Sequence, residues 1–193
     1  MNTVFWYPAA VAWTFIRRAA IPWLDLFERF FLIFTIAPWT EKVARAIYDS
    51  IEFAKEIFPL QEAKSVEGYD LIFVGFPVHA NSVPPKAQPF IKGLPKNQLV
   101  AFFHTHGALR GSELARTGLE NAVSLAAHSK VLGTFACQGK VKPALIEALL
   151  SKPEHMKWCE EAQAAAGHPD KADLADAREF AADVLAKATA LKS

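Results

Sequence analysis

The sequence has little cysteine, with only Cys137 and Cys159 among its 193 residues. Two cysteines at this separation supply neither the ligand spacing of a zinc site nor a disulfide framework. The start of the chain also lacks the basic first residues and the small-residue cleavage site of a secretory signal. We therefore expect a protein of a reducing compartment, the cytoplasm.

An excess of charge of one sign is missing too. The formal net charge is +1, and the basic residues form no run, which argues against a nucleic-acid-binding surface. The sequence contains no glycine fingerprint for a dinucleotide, no nucleophile elbow and no Ser-His-Asp order. A nicotinamide enzyme or a serine hydrolase would need those residues.

Long uninterrupted apolar runs are absent as well, although the first residues are unusually aromatic. Four of the five tryptophans lie within the first 39 positions. The uncharged stretch from Val4 to Ile16 stops at Arg17, whereas a membrane span needs about 20 apolar residues. We predict that residues 1–29 form a hydrophobic extension that packs on the protein's own fold, docks on a partner or contacts a membrane surface peripherally.

The rest of the chain contains apolar runs rich in strand-forming residues. Strands are predicted at Phe30 to Phe34, near Ile57 to Leu60, at Leu71 to Phe76, at Leu99 to Phe103 and at Lys130 to Ala136. Continuous apolar runs of this kind are typical of parallel strands that are covered on both faces. In open parallel sheets, ligands bind beyond the carboxyl ends of the strands. The residues that follow the strands are therefore the first candidates for a site.

Stretches with helical spacing separate the predicted strands. Helices are predicted from Thr40 to about Glu52, over 87–91, 112–127, 143–150 and 153–166, and over about 172–192. Thr40 is a good capping residue and is predicted to open the first of them. In the third, Leu119 and Val123 are predicted to face inward. Strands that alternate with helices predict an α/β fold with helices on both faces of the sheet.

With these elements in order, the chain from about Phe30 onward resembles the flavodoxin-like family. The matching pieces are Phe31 to Thr35 followed by Thr40 to Ala44, then Tyr69 to Val78, Phe103 to Gly107 and Gly133 to Lys140. The resemblance implies a three-layer α/β sandwich over residues 30–193, with a five-stranded parallel sheet in the order 2-1-3-4-5. It also implies flavin mononucleotide (FMN) at the carboxyl ends of the strands.

The resemblance further implies which residues hold FMN. The phosphate turn corresponds to Thr35, Ile36, Ala37, Trp39 and Thr40, together with Pro38. The loops around the flavin ring correspond to Pro77, Val78, His79, Ala80 and Asn81, and to Thr105, His106, Gly107 and Ala108. No side chain is predicted to be catalytic, because a bound flavin itself carries the electrons.

The predicted phosphate turn departs from the family's pattern in its middle. Ala37, Pro38 and Trp39 stand where the family usually has a small hydroxyl residue, glycine and a polar residue. Proline removes one backbone donor, and Trp39 could either stack on the flavin ring or fill an empty pocket. The outer hydroxyls of Thr35 and Thr40 and the start of a helix still suit an anion.

These features support hypotheses of two different classes. The first is an FMN-binding electron-transfer protein that exchanges electrons with a redox partner protein. The alternative is a flavodoxin-like interaction module that has lost FMN and serves in a larger or membrane-associated complex. A third hypothesis is an FMN-dependent reductase whose small substrate enters near His79 and His106.

Two histidines near the end of the fourth predicted strand are candidate metal ligands. His104 and His106 alternate, so their side chains should point the same way, and His79 could join them. Because no carboxylate lies at a fixed spacing from these histidines, we expect no metal. We prefer a role for His106 beside the flavin ring.

Overall fold

The structure of this protein is a computed structural model that describes residues 30–34, 37–63 and 65–192. The predicted aromatic extension, residues 1–29, lies outside the described residues, as do Thr35 and Ile36. Within the described ranges, none of the helices has the length and apolarity that crossing a bilayer requires.

Five parallel strands form one sheet. They are β1 (Phe30–Phe34), β2 (Lys55–Pro59), β3 (Leu71–Pro77), β4 (Leu99–His106) and β5 (Lys130–Gln138). Their spatial order is β2-β1-β3-β4-β5, and every neighbouring pair is parallel. Strands β3 and β4 are buried along nearly their whole length, as their continuous apolar runs predict. The prediction of an α/β fold with a parallel sheet is confirmed.

Helices cover both faces of this sheet. They are α1 (Pro38–Ser50), α2 (Gln88–Lys92), α3 (Glu113–Leu125), α4 (Pro143–Leu150), α5 (Met156–Ala164) and α6 (Lys171–Ala190). Helices α1 and α6 pack on the face that carries Phe73 and Phe103. Helices α2 and α3 pack on the other face, against Val74 and Phe102. The alternation of side chains along β3 and β4 thus contributes to two separate apolar layers.

Two predictions about the helices are wrong. Helix α1 starts at Pro38 with Ala37 as its N-cap, so Thr40 does not open it. Proline suits the first helical position because the N–H that it lacks has no partner there. In α3, Val123 is 39% exposed, because the buried stripe runs through Ala115, Gly118 and Ala122 instead. Val123 lies about 100° further round the helix than Ala122.

The strands that lead to the site are longer than their apolar runs. Strand β4 continues to His106 and β5 to Gln138, although the apolar pattern predicts ends at Phe103 and Ala136. The extra residues pair with both neighbouring strands, since Thr105 lies opposite Pro77 on one side and Cys137 on the other. These residues therefore belong to the strands because their backbones pair with neighbouring strands, although the sequence suggests a loop.

The chain between β5 and α6 folds into a separate pair of helices, α4 and α5. This helical pair has a small core of its own, formed by Ile146, Cys159 and Ala162. Val141, Leu149 and Trp158 pack against that core. The pair begins just after β5 ends, so it stands at the same edge of the sheet as the ends of β3 and β4.

Candidate functional site

The end of β4 sends its side chains to both faces of the sheet. Thr105 faces α1, where its Oγ1 atom lies 2.8 Å from Oγ1 of Thr40, and both residues are buried. His104 faces α3, beside Gly118. The rings of His104 and His106 have centroids 5.3 Å apart. The prediction that these two histidines point the same way is confirmed.

Burial keeps both histidines neutral. Burial, with a smaller contribution from the neighbouring His106, lowers the pKa of His104 from 6.5 to about 3. Burial also lowers the pKa of His106, because the charged imidazolium loses its hydration. Backbone groups of Ala115 and Ala108 lie near the two rings and partly offset the lowering of the pKa of His104 and of His106, although no described group meets strict hydrogen-bond geometry with their ring nitrogens. Of the two histidines, His106 lines the cavities and His104 does not.

A first cavity of about 430 Å³ lies between the start of α1 and the chain that follows β5. Ala37, Pro38 and Trp39 line it on the side of α1, and Lys140 and Lys142 line it on the opposite side. Its other lining residues are Pro77, Val78, Thr105, His106, Gly107, Gly139, Val141, Pro143, Leu145 and Trp158. The first cavity thus combines lysine side chains with the positive end of a helix.

A second cavity of about 630 Å³ adjoins the first. The loops after β3 and β4 line one side of it, and α4, α5 and the turn between them line the other. Its lining residues are Val78 to Asn81, His106 to Ala108, Leu114, Leu145, Leu149, Glu154, His155 and Trp158. Val78, His106, Gly107, Leu145 and Trp158 belong to both cavities.

Two glycines that line the cavities allow the backbone to approach neighbouring side chains closely. A Cβ atom on Gly107 would lie 2.4 Å from Cγ2 of Val141 and 3.4 Å from Cζ2 of Trp158. A Cβ atom on Gly139 would lie 3.0 Å from Cβ of Thr105 and 3.3 Å from Cβ of Trp39. Any larger residue at Gly107 would therefore displace the Val141 side chain, which packs on the core of the helical pair.

The loop after β3 is held in an unusual conformation. Ala80 and Asn81 have φ angles of 48° and 61°, which residues other than glycine seldom adopt. Backbone hydrogen bonds of 3.0 and 3.1 Å in both directions join His79 and Ser82. The Ser82 hydroxyl donates to Oδ1 of Asn121 in α3 at 2.8 Å. Such contacts keep His79, Ala80 and Asn81 at the second cavity despite the backbone strain.

The structure brings together the predicted site residues that it describes. Ala37, Trp39, Pro77, Val78 and Thr105 line the first cavity, whereas His79, Ala80 and Asn81 line the second, and His106 and Gly107 line both. Thr40 stands behind the first cavity with its hydroxyl bound to Thr105, and Thr35 and Ile36 lie outside the described residues. The role of each of these residues toward FMN stays a prediction.

Sequence reasoning missed the contribution of the chain after β5. Gly139, Lys140 and Lys142 line the first cavity, while Leu145 and Trp158 line both. One available signal is the Gly139–Lys140 pair directly after the last strand. Another is the presence of two predicted helices, not one, between that strand and the final helix.

Comparison with known proteins places this geometry in a family. A family model described as a flavodoxin domain matches residues 37–182. The flavodoxin-like domain-containing protein BilS of Clostridioides difficile (strain CD3) is 29% identical over 165 residues, which cover 78% of this chain and 92% of that protein.

Two solved structures share the fold at low sequence identity. A Streptococcus pneumoniae TIGR4 flavodoxin has a TM-score of 0.55 at 8% identity, over 82% of this chain and 98% of that one. A short-chain flavodoxin associated with a non-canonical PDU bacterial microcompartment has a TM-score of 0.57 at 10% identity, over 84% and 99%. Because the family model spans most of the sequence, including both cavities, the chain belongs to the flavodoxin domain family.

Proposed function

We propose that this protein binds FMN and transfers electrons to a redox partner protein. The observation that carries the proposal is the pair of adjoining cavities at the carboxyl ends of β3, β4 and β5. In open parallel sheets, this edge is where ligands bind. Bound FMN supplies the electron-carrying chemistry, so the protein's task is to hold, orient and shield it.

The first cavity fits the phosphate end of FMN. The backbone N–H groups of Trp39 and Thr40 are in the first turn of α1, where a helix offers donors without intrahelical acceptors. Lys140 and Lys142 line the same cavity and add positive charge. These lysines would hold the phosphate in place of the donors that the altered turn at Pro38 lacks.

The region shared by the two cavities fits the flavin ring. Gly107 lets the end of β4 lie close to Val141 and Trp158, and Val78 and Trp158 offer apolar surface to a flat ligand. The ring nitrogens of His106 suit a polar edge of the flavin. Apolar walls with a few converging polar groups are the usual composition of a small-molecule site.

The surroundings of the cavities support a protein redox partner. Leu109, Leu145 and Met156 are 49%, 48% and 51% exposed. Leu145 lines both cavities, and the other two follow Ala108 and His155, which line the second. Exposed apolar side chains grouped around a site favour docking by another protein.

We propose that residues 1–29 add a contact with a partner or with a membrane surface. Truncation before Phe30 tests this proposal, and loss of co-sedimentation with the partner or membrane would support it.

The alternative, a module that has lost FMN, is not favoured. Such a module gains nothing from keeping open cavities of about 430 and 630 Å³ at this edge of the sheet. It also has no need for lysines and an unpartnered buried histidine around them.

A visible absorption spectrum tests the proposal directly. The purified protein is mixed with FMN, separated from the excess by gel filtration, and compared with a sample that received riboflavin. We expect a flavin spectrum that travels with the protein and is retained better for FMN than for riboflavin. The loaded protein, reduced anaerobically with dithionite, should then be reoxidised by the one-electron acceptor cytochrome c.

Two results would count against different parts of the proposal. A protein that stays colourless after FMN addition would reject cofactor binding. A protein that retains FMN but passes no electrons to cytochrome c or ferricyanide would keep the cofactor and reject electron transfer.

A further inference from the structure

We propose that Gln138 and Glu161 are positioning residues of the candidate cofactor site. Their side chains hold the two ends of one peptide group, the one that joins Ala108 to Leu109, and so fix the loop after β4 beside the position proposed for the flavin ring. Neither residue is among those that line the two cavities. The inference rests on the proposed FMN binding and deepens it, because it names residues that shape the site from behind.

The peptide group between Ala108 and Leu109 makes a hydrogen bond at each end. Its carbonyl oxygen, on Ala108, accepts from Nε2 of Gln138 at 3.0 Å. Its N–H group, on Leu109, donates to Oε2 of Glu161 at 3.1 Å. Because a peptide group is planar, its carbonyl and its N–H rotate together. Both hydrogen bonds therefore restrain the same rotation.

The loop after β4 needs support from outside, because it has little regular structure of its own. Strand β4 ends at His106 and α3 begins at Glu113, so the peptide group lies in neither a sheet nor a helix. Leu109 is 49% exposed. Loop residues without such support sample many backbone conformations, and fixing them costs conformational entropy.

The two side chains that hold the peptide group come from well-ordered elements. Gln138 is the last residue of β5, and its backbone lies opposite His106 in the sheet. Glu161 belongs to α5, next to Ala162 in the core of the helical pair. The loop is therefore fixed by the sheet on one side and by the helical pair on the other.

The fixed peptide group adjoins residues proposed to lie beside the flavin ring. Gly107 lines both cavities, and the buried Ala108 lines the second. The Ala108 backbone and the Glu161 carboxylate both lie close enough to His106 to offset part of the lowering of its pKa by burial. A loop that already has its binding conformation avoids the entropy cost of ordering when a ligand binds. Loss of either side chain should therefore weaken binding of the ring.

The first measurement is hydrogen exchange of the Leu109 amide, followed by NMR on the intact chain before FMN is added. We expect this amide to exchange at least about tenfold more slowly than an unpaired loop amide, although Leu109 is exposed. Glu161→Leu should abolish the protection, whereas Glu161→Gln keeps an acceptor oxygen and should retain part of it. Glu160→Leu, at an exposed position of the same helix, is the control and should leave the protection unchanged.

The second measurement is fluorescence titration with FMN and with riboflavin. Glu161→Leu and Gln138→Leu should each weaken both ligands by the same factor, at least about threefold, because the two ligands share the ring. Glu161→Gln should recover part of the loss. The double variant should lose less than the product of the two single losses, because both side chains hold one peptide group.

A second control lies on the same loop. Arg110 pairs with Asp176 of α6 at 2.5 Å, and their side chains are 61% and 34% exposed. Ion pairs this exposed contribute little, because water screens their charges. Asp176→Asn should therefore change neither the affinity for FMN nor the affinity for riboflavin.

Each remaining outcome would overturn the inference in a distinct way. A Leu109 amide without protection in the parent protein would show that the peptide group is not fixed. Loss of protection with both affinities unchanged, or with a loss confined to FMN, would reject the positioning role at the ring and leave the proposed function standing. A parent protein that binds neither FMN nor riboflavin would reject the proposed function and this inference together.

Discussion

The two ends of the candidate cofactor site are built by different means. At the end of β4, buried histidines and closely approached glycines determine the shape, and Gly107 has no room for even a methyl group. At the start of α1, by contrast, Ala37, Pro38 and Trp39 line the first cavity opposite the exposed residues Lys140 and Lys142. We therefore expect packing to matter most at the end proposed for the flavin ring, and charge to matter most at the end proposed for the phosphate.

This difference predicts how each end responds to change. Packed interiors accommodate added volume poorly, so substitutions at the ring end should affect both stability and binding. Exposed charges are screened by water and salt, so substitutions at the phosphate end should have small effects that depend on ionic strength. The predictions below test this contrast from its largest expected effect to its smallest.

The largest effect is expected for Gly107→Ala. The added methyl group would meet Cγ2 of Val141 at 2.4 Å, so Val141, which packs on the core of the helical pair, must shift. We expect the free energy of unfolding to fall by about 1–3 kcal/mol and FMN affinity to fall at least about tenfold. Urea unfolding and fluorescence titration with FMN measure the two quantities.

Gly167→Ala is the matched control, because nothing lies within 4 Å of a Cβ atom at that position. Its stability should stay within about 0.5 kcal/mol of the parent protein. Equal behaviour of the two variants would show that the ring end is not limited by packing.

The second-largest effect is expected at low pH, where protonation of His104 should lower the stability of the fold. The pKa of His104 is about 3 when folded and about 6.5 when unfolded. Between those values the unfolded state binds more protons, so stability falls as the pH drops below 6.5. From pH 6.5 to 5.5, we expect His104 to contribute a loss of about 1 kcal/mol.

Urea unfolding at pH 7.5, 6.5 and 5.5 checks whether the free energy of unfolding falls as the pH is lowered. His104→Leu should flatten the dependence of stability on pH, whatever its effect on stability at pH 7.5. The exposed His128 is the control, and His128→Gln should leave the dependence as it is. A His104→Leu slope equal to that of the parent protein would contradict the proposed burial penalty.

The hydroxyl pair behind the first cavity should give a moderate effect. Thr40 and Thr105 share a buried hydrogen bond of 2.8 Å. Thr40→Val leaves the Thr105 hydroxyl buried without this partner, which should cost about 1–3 kcal/mol of unfolding free energy. The double variant Thr40→Val with Thr105→Val should lose less than the sum of the two single losses, as measured by urea unfolding.

The same variants separate two roles of Thr40. If its hydroxyl serves only the fold, Thr40→Val should keep the ratio of FMN to riboflavin affinity of the parent protein. A selective loss of FMN affinity would instead support the phosphate contact that the family resemblance implies. Additive losses in the double variant would argue against coupling through the shared hydrogen bond.

The smallest effect is expected at the phosphate end. Lys140→Gln and Lys142→Gln should each weaken FMN binding by about 0.5–1 kcal/mol at low salt and leave riboflavin binding unchanged. The difference should shrink as salt is added. Lys152→Gln, an exposed lysine that lines neither cavity, is the control. Equal losses for FMN and riboflavin would show that these lysines do not act on the phosphate.

The ends of the strands show how far local patterns could predict the site. The apolar runs of β3, β4 and β5 correctly indicate buried parallel strands, and the alternation of His104 and His106 correctly indicates a shared face. The same runs end β4 too early, because side-chain apolarity does not report the backbone pairing that continues to His106. Capping preference likewise predicts the wrong start for α1, which begins at Pro38 and not at Thr40.

The sequence by itself determined the α/β alternation, the edge of the sheet where the cavities lie, and the lining residues that come from the start of α1 and the ends of β3 and β4. These features follow from local hydrophobic period and from the order of strands and helices, which a chain expresses without distant contacts. Only the tertiary structure decided that Thr40 turns inward to Thr105 and that α4 and α5 form the wall of the second cavity. These two features depend on contacts between residues far apart in the chain, such as those of Val141 and Trp158 with Gly107. Such contacts leave no periodic pattern in the sequence.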